Sequence, residues 1–118
     1  MGLWRQGPIR AVERVGDPVE ADELVLTHLM RLGCDPSQPR ECRHYFYLPG
    51  ELAARAVADS LVGDGWDADV EDVRDAWLVT ATTVVGLNDE VVRSTRARLQ
   101  LLACDYGGEY DGWEAAAD

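Results

Sequence analysis

The chain has 118 residues, and its 22 acidic residues outnumber its 11 basic residues to give a net charge of −11. This length is typical of one domain, and a hydrophobic fraction of 47% is sufficient for a buried core. A protein this acidic repels nucleic-acid phosphates and favours basic protein surfaces, so we expect no direct binding to RNA or DNA. No apolar run approaches the ~18 residues of a membrane-spanning helix, which argues against a membrane partner.

Residues 1–16 are predicted to form an N-terminal arm, and residues 17–118 a single domain. Glycine and proline recur in the arm, and the sequence leaves its order open. Asp17-Pro18 is typical of a helix start, because Asp accepts hydrogen bonds from the first N–H groups and Pro suits the first helical position. The helix is expected to end at Gly33. Its expected buried face consists of Leu24, Val25, His28, Leu29 and Leu32.

The middle of the chain predicts a strand, a helix and a hairpin. Cys42–Leu48 is apolar on both faces, which favours a central strand. Pro49-Gly50 then opens a helix. Its expected buried face consists of Leu52, Ala53, Ala56, Val57, Ser60 and Leu61. Residues 66–71 alternate as a strand with an acidic outer face, and a tight turn leads to a β-branched strand over Ala76–Val85.

The last predicted helix begins at Asn88, a good N-cap residue, and ends at Gly107. Its expected buried face consists of Val91, Val92, Thr95, Leu99 and Leu102. A last strand is predicted around Tyr110–Trp113. A helix followed by β-α-β-β-α-β predicts an α+β fold, a ferredoxin-like sandwich with an extra N-terminal helix. In that fold a four-stranded antiparallel sheet has the order 4-1-3-2, with two helices on one face.

The three cysteines are Cys34, Cys42 and Cys104, an odd number in a sequence with no apolar signal segment. We therefore expect free thiols and a cytoplasmic protein. Cys34, Cys42 and His44 form C-x7-C-x-H, which lacks the closely spaced first pair of a zinc site. The sequence therefore predicts no structural metal.

Enzyme motifs are missing from the sequence. Asp67, Asp69 and Glu71 resemble the start of a calcium loop, but the later glycine and glutamate of that loop are absent. There is no P-loop and no G-x-G-x-x-G, and no nucleophile can be paired with a histidine. We therefore expect no catalysis and no cofactor.

The segment Gly107–Glu114 has an unusual composition of glycines, large aromatics and carboxylates. Tyr110 and Trp113 are expected to anchor the C-terminus, because such rings bury much area. A second interpretation is an acidic, aromatic surface that meets a partner. The two are compatible if the rings anchor the segment while the carboxylates face outwards.

Three segments carry a resemblance to a known family. They are Gly33-Cys-Asp35 with Pro39-Arg40, Tyr45-Phe-Tyr-Leu-Pro49 with the following Ala-rich helix and Gly65, and Gly108-Glu-Tyr-Asp-Gly-Trp-Glu114. Over roughly residues 20–114 the chain resembles the RraB family of regulators of ribonuclease E activity. The resemblance implies a ferredoxin-like fold and a small acidic protein without catalysis of its own. It also implies binding to ribonuclease E, chiefly its Arg-containing scaffold region, and inhibition of RNA cleavage.

We expect the partner to be a protein, either ribonuclease E or a related ribonuclease, bound through carboxylates on a platform that Tyr110 and Trp113 hold rigid. The expected partner-binding residues are Glu109, Tyr110, Asp111, Trp113, Glu114, Asp67, Asp69 and Glu71. Two alternatives remain: an acidic module for another basic partner, or a small-ligand or metal-binding enzyme that uses the C-terminal carboxylates. The sequence does not specify the oligomeric state.

Overall fold

The computed structural model describes the backbone of residues 8–11 and 18–117 and the side chains of residues 22–117. Its elements are, in chain order, β1 (Pro8–Ala11), α1 (Pro18–Arg31), β2 (Arg40–Leu48), α2 (Glu51–Gly63), β3 (Asp67–Val73), β4 (Ala76–Val85), α3 (Asp89–Asp105) and β5 (Glu109–Ala116). The predicted order of elements is therefore confirmed from α1 onwards. The local signals also act as predicted: the Asn88 side chain accepts from the N–H of Val91 at 2.8 Å, and Gly107 leaves α3 with φ +73°.

The strands form one antiparallel sheet in the order β1-β5-β2-β4-β3. The last four strands have the ferredoxin-like order predicted from the sequence, and β2 is central as expected. Within the predicted arm, Pro8–Ala11 form β1 and pair with β5, a strand that the sequence did not predict. This pairing covers the edge of β5 that a four-stranded sheet would leave open. The rest of the arm lies outside the described residues.

All three helices pack on the same face of the sheet. The larger core cluster joins α2 and α3 to Phe46, Leu48 and Val79 of the sheet. A second cluster joins Val25 and Leu29 of α1 to the other end of the sheet. Along β2 every second side chain is buried against these helices, and the intervening side chains face away from them.

Two helices bury a different stripe from the one predicted. In α1 the buried residues include Leu26, whereas Leu24 is 61% exposed and His28 is exposed. In α2 the small side chains of Ala54 and Ala58 face the sheet, and Leu52 is 87% exposed. Apolar residues occupy adjacent stripes of both helices, so their spacing alone does not determine which stripe faces the sheet.

Leu99→Ala is expected to lower the free energy of unfolding by about 2–5 kcal/mol, because truncating a buried Leu removes apolar contacts and leaves a cavity. Leu99 is 0% exposed in α3, whereas Leu101 of the same helix is 63% exposed. Leu101→Ala is the matched control and should change stability by less than about 0.5 kcal/mol. Urea unfolding measures both. Equal stability of the two variants would contradict the packing of α3.

The three cysteines are free in the structure. Denatured protein should therefore show three reactive thiols, and finding one would contradict this. In the native protein the exposed Cys104 should react first. Cys42 should react last, because burial raises the pKa of its thiol to about 12. Thiol titration of the native chain and of a Cys104→Ser control distinguishes the two sites.

Candidate protein-binding surface

The face of the sheet opposite the helices is the candidate surface for a partner, and we call it the open sheet face. No helix packs on it in the part of the chain that the structure describes. Strand alternation and register place the following residues on it: Glu41, Arg43, Tyr45 and Tyr47; Asp67, Asp69 and Glu71; Leu78, Thr80, Thr82 and Val84; Glu109 and Glu114. Tyr47 is 38% exposed and Val84 is 64% exposed, so apolar area remains accessible there.

The strand register arranges this face in cross-strand rows. Glu109 lies opposite Tyr47, Tyr47 lies opposite Leu78, and Leu78 lies opposite Glu71. The row therefore has an aromatic and an aliphatic side chain in its middle and a carboxylate at each end. Directly opposed side chains in a sheet are neighbours, so these four groups form a continuous strip.

Strand β3 carries an acidic row, which we define as Asp67, Asp69 and Glu71. All three are exposed, while the intervening Ala68 and Val70 pack against the core. The outer face of this strand is therefore acidic, as the alternation predicts. Because β3 is an edge strand, the charges also oppose pairing with another sheet edge.

The segment Gly107–Glu114, which we call the C-terminal signature, is divided between the two faces of the sheet. Tyr110 is 7% exposed and Trp113 is 2% exposed, and both face the helices. A β-bulge explains this arrangement: the register shifts between His44 and Phe46, and Gly112 has φ +103°. Residues three apart would otherwise face opposite sides of a strand.

The carboxylates of the signature have different surroundings. Glu109 is exposed and Asp111 is half-buried, whereas Glu114 is 8% exposed. The hydroxyl of Tyr45 donates to Glu114 at 2.9 Å. Burial and this carboxylate raise the pKa of Tyr45, which therefore remains a neutral donor. The eight predicted site residues thus do not form one patch: Tyr110 and Trp113 support the sheet from the helix side, and Glu114 is buried.

A buried polar cluster on the helix side was missed by sequence reasoning, and it consists of Asp22, His44, Arg96, Tyr110 and Trp113. The Nε and one terminal nitrogen of Arg96 donate to Asp22 at 2.6 and 2.5 Å. The indole N–H of Trp113 donates to the same carboxylate at 2.9 Å. The guanidinium carbon of Arg96 also lies 5.5 Å from the centre of the Tyr110 ring. The cluster thereby ties α1, α3 and β5 together.

Burial determines the protonation of this cluster. It raises the pKa of Asp22 to about 6, and the hydrogen bond from Trp113 acts in the opposite direction. The adjoining guanidinium favours the charged carboxylate as well, so the Asp22–Arg96 pair is ionised at neutral pH. Burial lowers the pKa of His44 to about 3, so its ring is neutral. A sequence signal for Arg96 does exist, because it continues the stripe formed by Val92 and Leu99 at helical spacing.

The described residues contain no group of three or more His, Cys, Asp or Glu side chains that could hold a metal ion. Their polar groups are engaged elsewhere: the thiol of Cys34 donates to the carbonyl of Ala117 at 2.7 Å, and His44 bonds Tyr110. Within the described ranges, none of the helices combines the length and apolar character needed to cross a membrane.

The family comparison agrees with the arrangement of these elements. A family model described as "Regulator of ribonuclease activity B" matches residues 19–115, from α1 into the end of β5. A comparison with curated proteins gives no significant match. Since the family match spans most of the chain, the protein belongs to the RraB family of regulators of ribonuclease activity.

Proposed function

We propose that the protein is a non-catalytic regulator that binds a ribonuclease of the ribonuclease E type and lowers its cleavage of RNA. Membership of a family of ribonuclease regulators supports this role. The net charge of −11 supports a basic protein surface as the target. The observation that carries the proposal is the row Glu109–Tyr47–Leu78–Glu71 on the open sheet face, with its apolar middle and acidic ends.

This row has the general anatomy of a protein interface, in which an apolar centre is bordered by polar groups. An arginine-bearing segment suits it chemically. A guanidinium pairs with a carboxylate through two parallel hydrogen bonds, and it also stacks on aromatic rings. Tyr47 offers the ring, and Glu71 and Glu109 offer the carboxylates. The partner is therefore a basic, arginine-containing segment rather than RNA.

Tyr110 and Trp113 have a supporting role in this proposal. Both rings lie beneath β5 on the helix side, where they hold the strand that carries Glu109 and Asp111. Of the three carboxylates within Gly107–Glu114, we assign Glu109 and Asp111 to partner contact, because Glu114 is already bonded to Tyr45.

Neutralising the acidic row of β3 should weaken binding to the ribonuclease about tenfold to hundredfold at low salt. The variant is Asp67→Asn, Asp69→Asn and Glu71→Gln. Each exposed ion pair contributes up to about 1 kcal/mol, and every 1.4 kcal/mol is about tenfold in affinity. Most of the change should appear in the association rate and should disappear at high salt. Titration against purified ribonuclease E of the same organism, by calorimetry and by stopped flow, measures both quantities.

The matched control changes the same amount of charge on the helix side, with Glu23→Gln, Asp59→Asn and Asp105→Asn, all exposed positions. It should retain nearly the full affinity. Glu109→Gln with Asp111→Asn should weaken binding in the same direction as the β3 variant. Equal weakening by the control would show that net charge alone drives association. Unchanged binding by the β3 variant would place the partner on another surface.

A further inference from the structure

A cavity of about 210 Å³ lies on the helix side of the sheet, against α3 and away from the open sheet face. Strands β2, β4 and β5 form its floor, and α3 forms one wall. Its polar and aromatic lining residues include His44, Trp66, Thr95, Arg96, Tyr110 and Trp113. A smaller cavity of about 150 Å³ is enough to hold benzene. The volume therefore suits a molecule of one or two small rings.

His44 brings a polar imidazole edge to this cavity. Its Nδ1 lies 2.7 Å from the hydroxyl of Tyr110. In one tautomer of the neutral imidazole the Tyr110 hydroxyl donates to Nδ1, and that arrangement gives the Tyr110 proton an acceptor, for which the described residues offer no other. The neutral imidazole then carries its hydrogen on Nε2. No described residue accepts from Nε2, and His44 is 5% exposed and lines the cavity.

The walls are aromatic and carry no net charge. The His44 ring lies edge-on to Trp66, at 5.3 Å and 68° between planes, and is stacked near Trp113, at 5.8 Å and 12°. Valine and leucine side chains complete the lining together with Cys42 and Thr83. The charge of Arg96 is balanced by Asp22 at 2.5 Å. An ionised guest would lose its hydration without gaining an unmatched opposite charge, so charged molecules are disfavoured.

We propose that this cavity, with the hydrogen of the neutral His44 ring on Nε2, is a binding site for a small, planar, uncharged organic molecule whose carbonyl oxygen or ring nitrogen accepts a hydrogen bond from that Nε2. The ring of the guest packs between the aromatic walls, and its acceptor pairs with the N–H that His44 turns to the cavity. The site lies on the opposite side of the sheet from the proposed ribonuclease surface and does not depend on that proposal.

Benzamide is a suitable probe, because benzoate and the benzamidinium ion have nearly the same shape with a negative or a positive charge. Cyclohexanecarboxamide keeps the carbonyl group and loses the planar ring. In ¹H–¹⁵N NMR spectra of the full chain, added benzamide should shift the indole N–H signals of Trp66 and Trp113, and the shifts should reach a plateau as the site fills. Its affinity should exceed that of each of the other three probes at least tenfold. The absence of saturable shifts, or an equal response to all four probes, would overturn the proposal.

Variants of α3 locate the site. Thr95→Leu places a larger side chain at the cavity wall and should reduce benzamide affinity at least tenfold. Ser94→Leu, at the exposed neighbouring position, should leave the affinity unchanged. His44→Phe should also reduce the affinity for benzamide at least tenfold, because phenylalanine keeps an aromatic ring at position 44 but has no N–H donor. If one of these variants fails to fold, the remaining variants still test whether benzamide binds in this cavity. Full benzamide binding by folded Thr95→Leu or by folded His44→Phe would refute the assignment.

Discussion

Trp113→Ala is expected to lower the free energy of unfolding by about 3–5 kcal/mol, which is the usual effect of truncating a buried Trp. Trp113 is 2% exposed and belongs to the core cluster that joins α1 to the sheet. Its indole N–H also donates to Asp22 at 2.9 Å. The substitution therefore removes apolar contacts and weakens the support of a buried carboxylate at the same time.

Trp113→Phe separates these two contributions. It keeps an aromatic ring in the core and loses the donor to Asp22, so it should lower stability by about 1–3 kcal/mol. Chemical denaturation of both variants gives the comparison. Unchanged stability of Trp113→Ala together with loss of ribonuclease binding would show that the ring is itself a contact of the partner.

Breaking the ion pair between Asp22 and Arg96 should have an effect of similar size. Asp22→Ala or Arg96→Ala should each lower the free energy of unfolding by about 3–5 kcal/mol, because the remaining charge is left buried without its partner. The side chains of Arg96 and Asp22 are only 7% and 4% exposed.

The double variant Asp22→Leu with Arg96→Met tests the reason for this effect. Replacing a buried pair by apolar groups is far less damaging than removing one partner. The double variant should therefore be more stable than the sum of the single effects predicts, which a double-mutant cycle measures. Strict additivity would mean that the two side chains do not act as a pair.

Much of the fold was predictable because local signals agree with the tertiary arrangement. The alternation of Asp67, Asp69 and Glu71 predicts a half-exposed strand, and Asn88 and Gly107 delimit α3 as their chemistry requires. The apolar character of both faces of β2 predicts its central place in the sheet. Each of these inferences depends on residues close together in sequence.

The missed features depend on partners distant in sequence. Strand β1 has four residues and forms by pairing with β5, at the other end of the chain. Asp22 and Arg96 are single charges on otherwise apolar stripes, and their pairing follows only when α1 and α3 meet. The bulge at Gly112 likewise depends on the register against β2. Sequence spacing therefore identified the C-terminal signature but not its division between the two faces.

The most direct test of the proposed function is an RNA cleavage assay with purified ribonuclease E of the same organism and increasing amounts of this protein. Cleavage should fall saturably at low salt, and the inhibition should weaken as ionic strength rises. The β3 variant should inhibit less than the wild type, and the helix-side control should inhibit equally. The protein alone should neither cleave RNA nor retard it in a gel. Undiminished cleavage at saturating protein would contradict the account. Inhibition that arises because the protein binds the RNA substrate rather than the enzyme would contradict it as well.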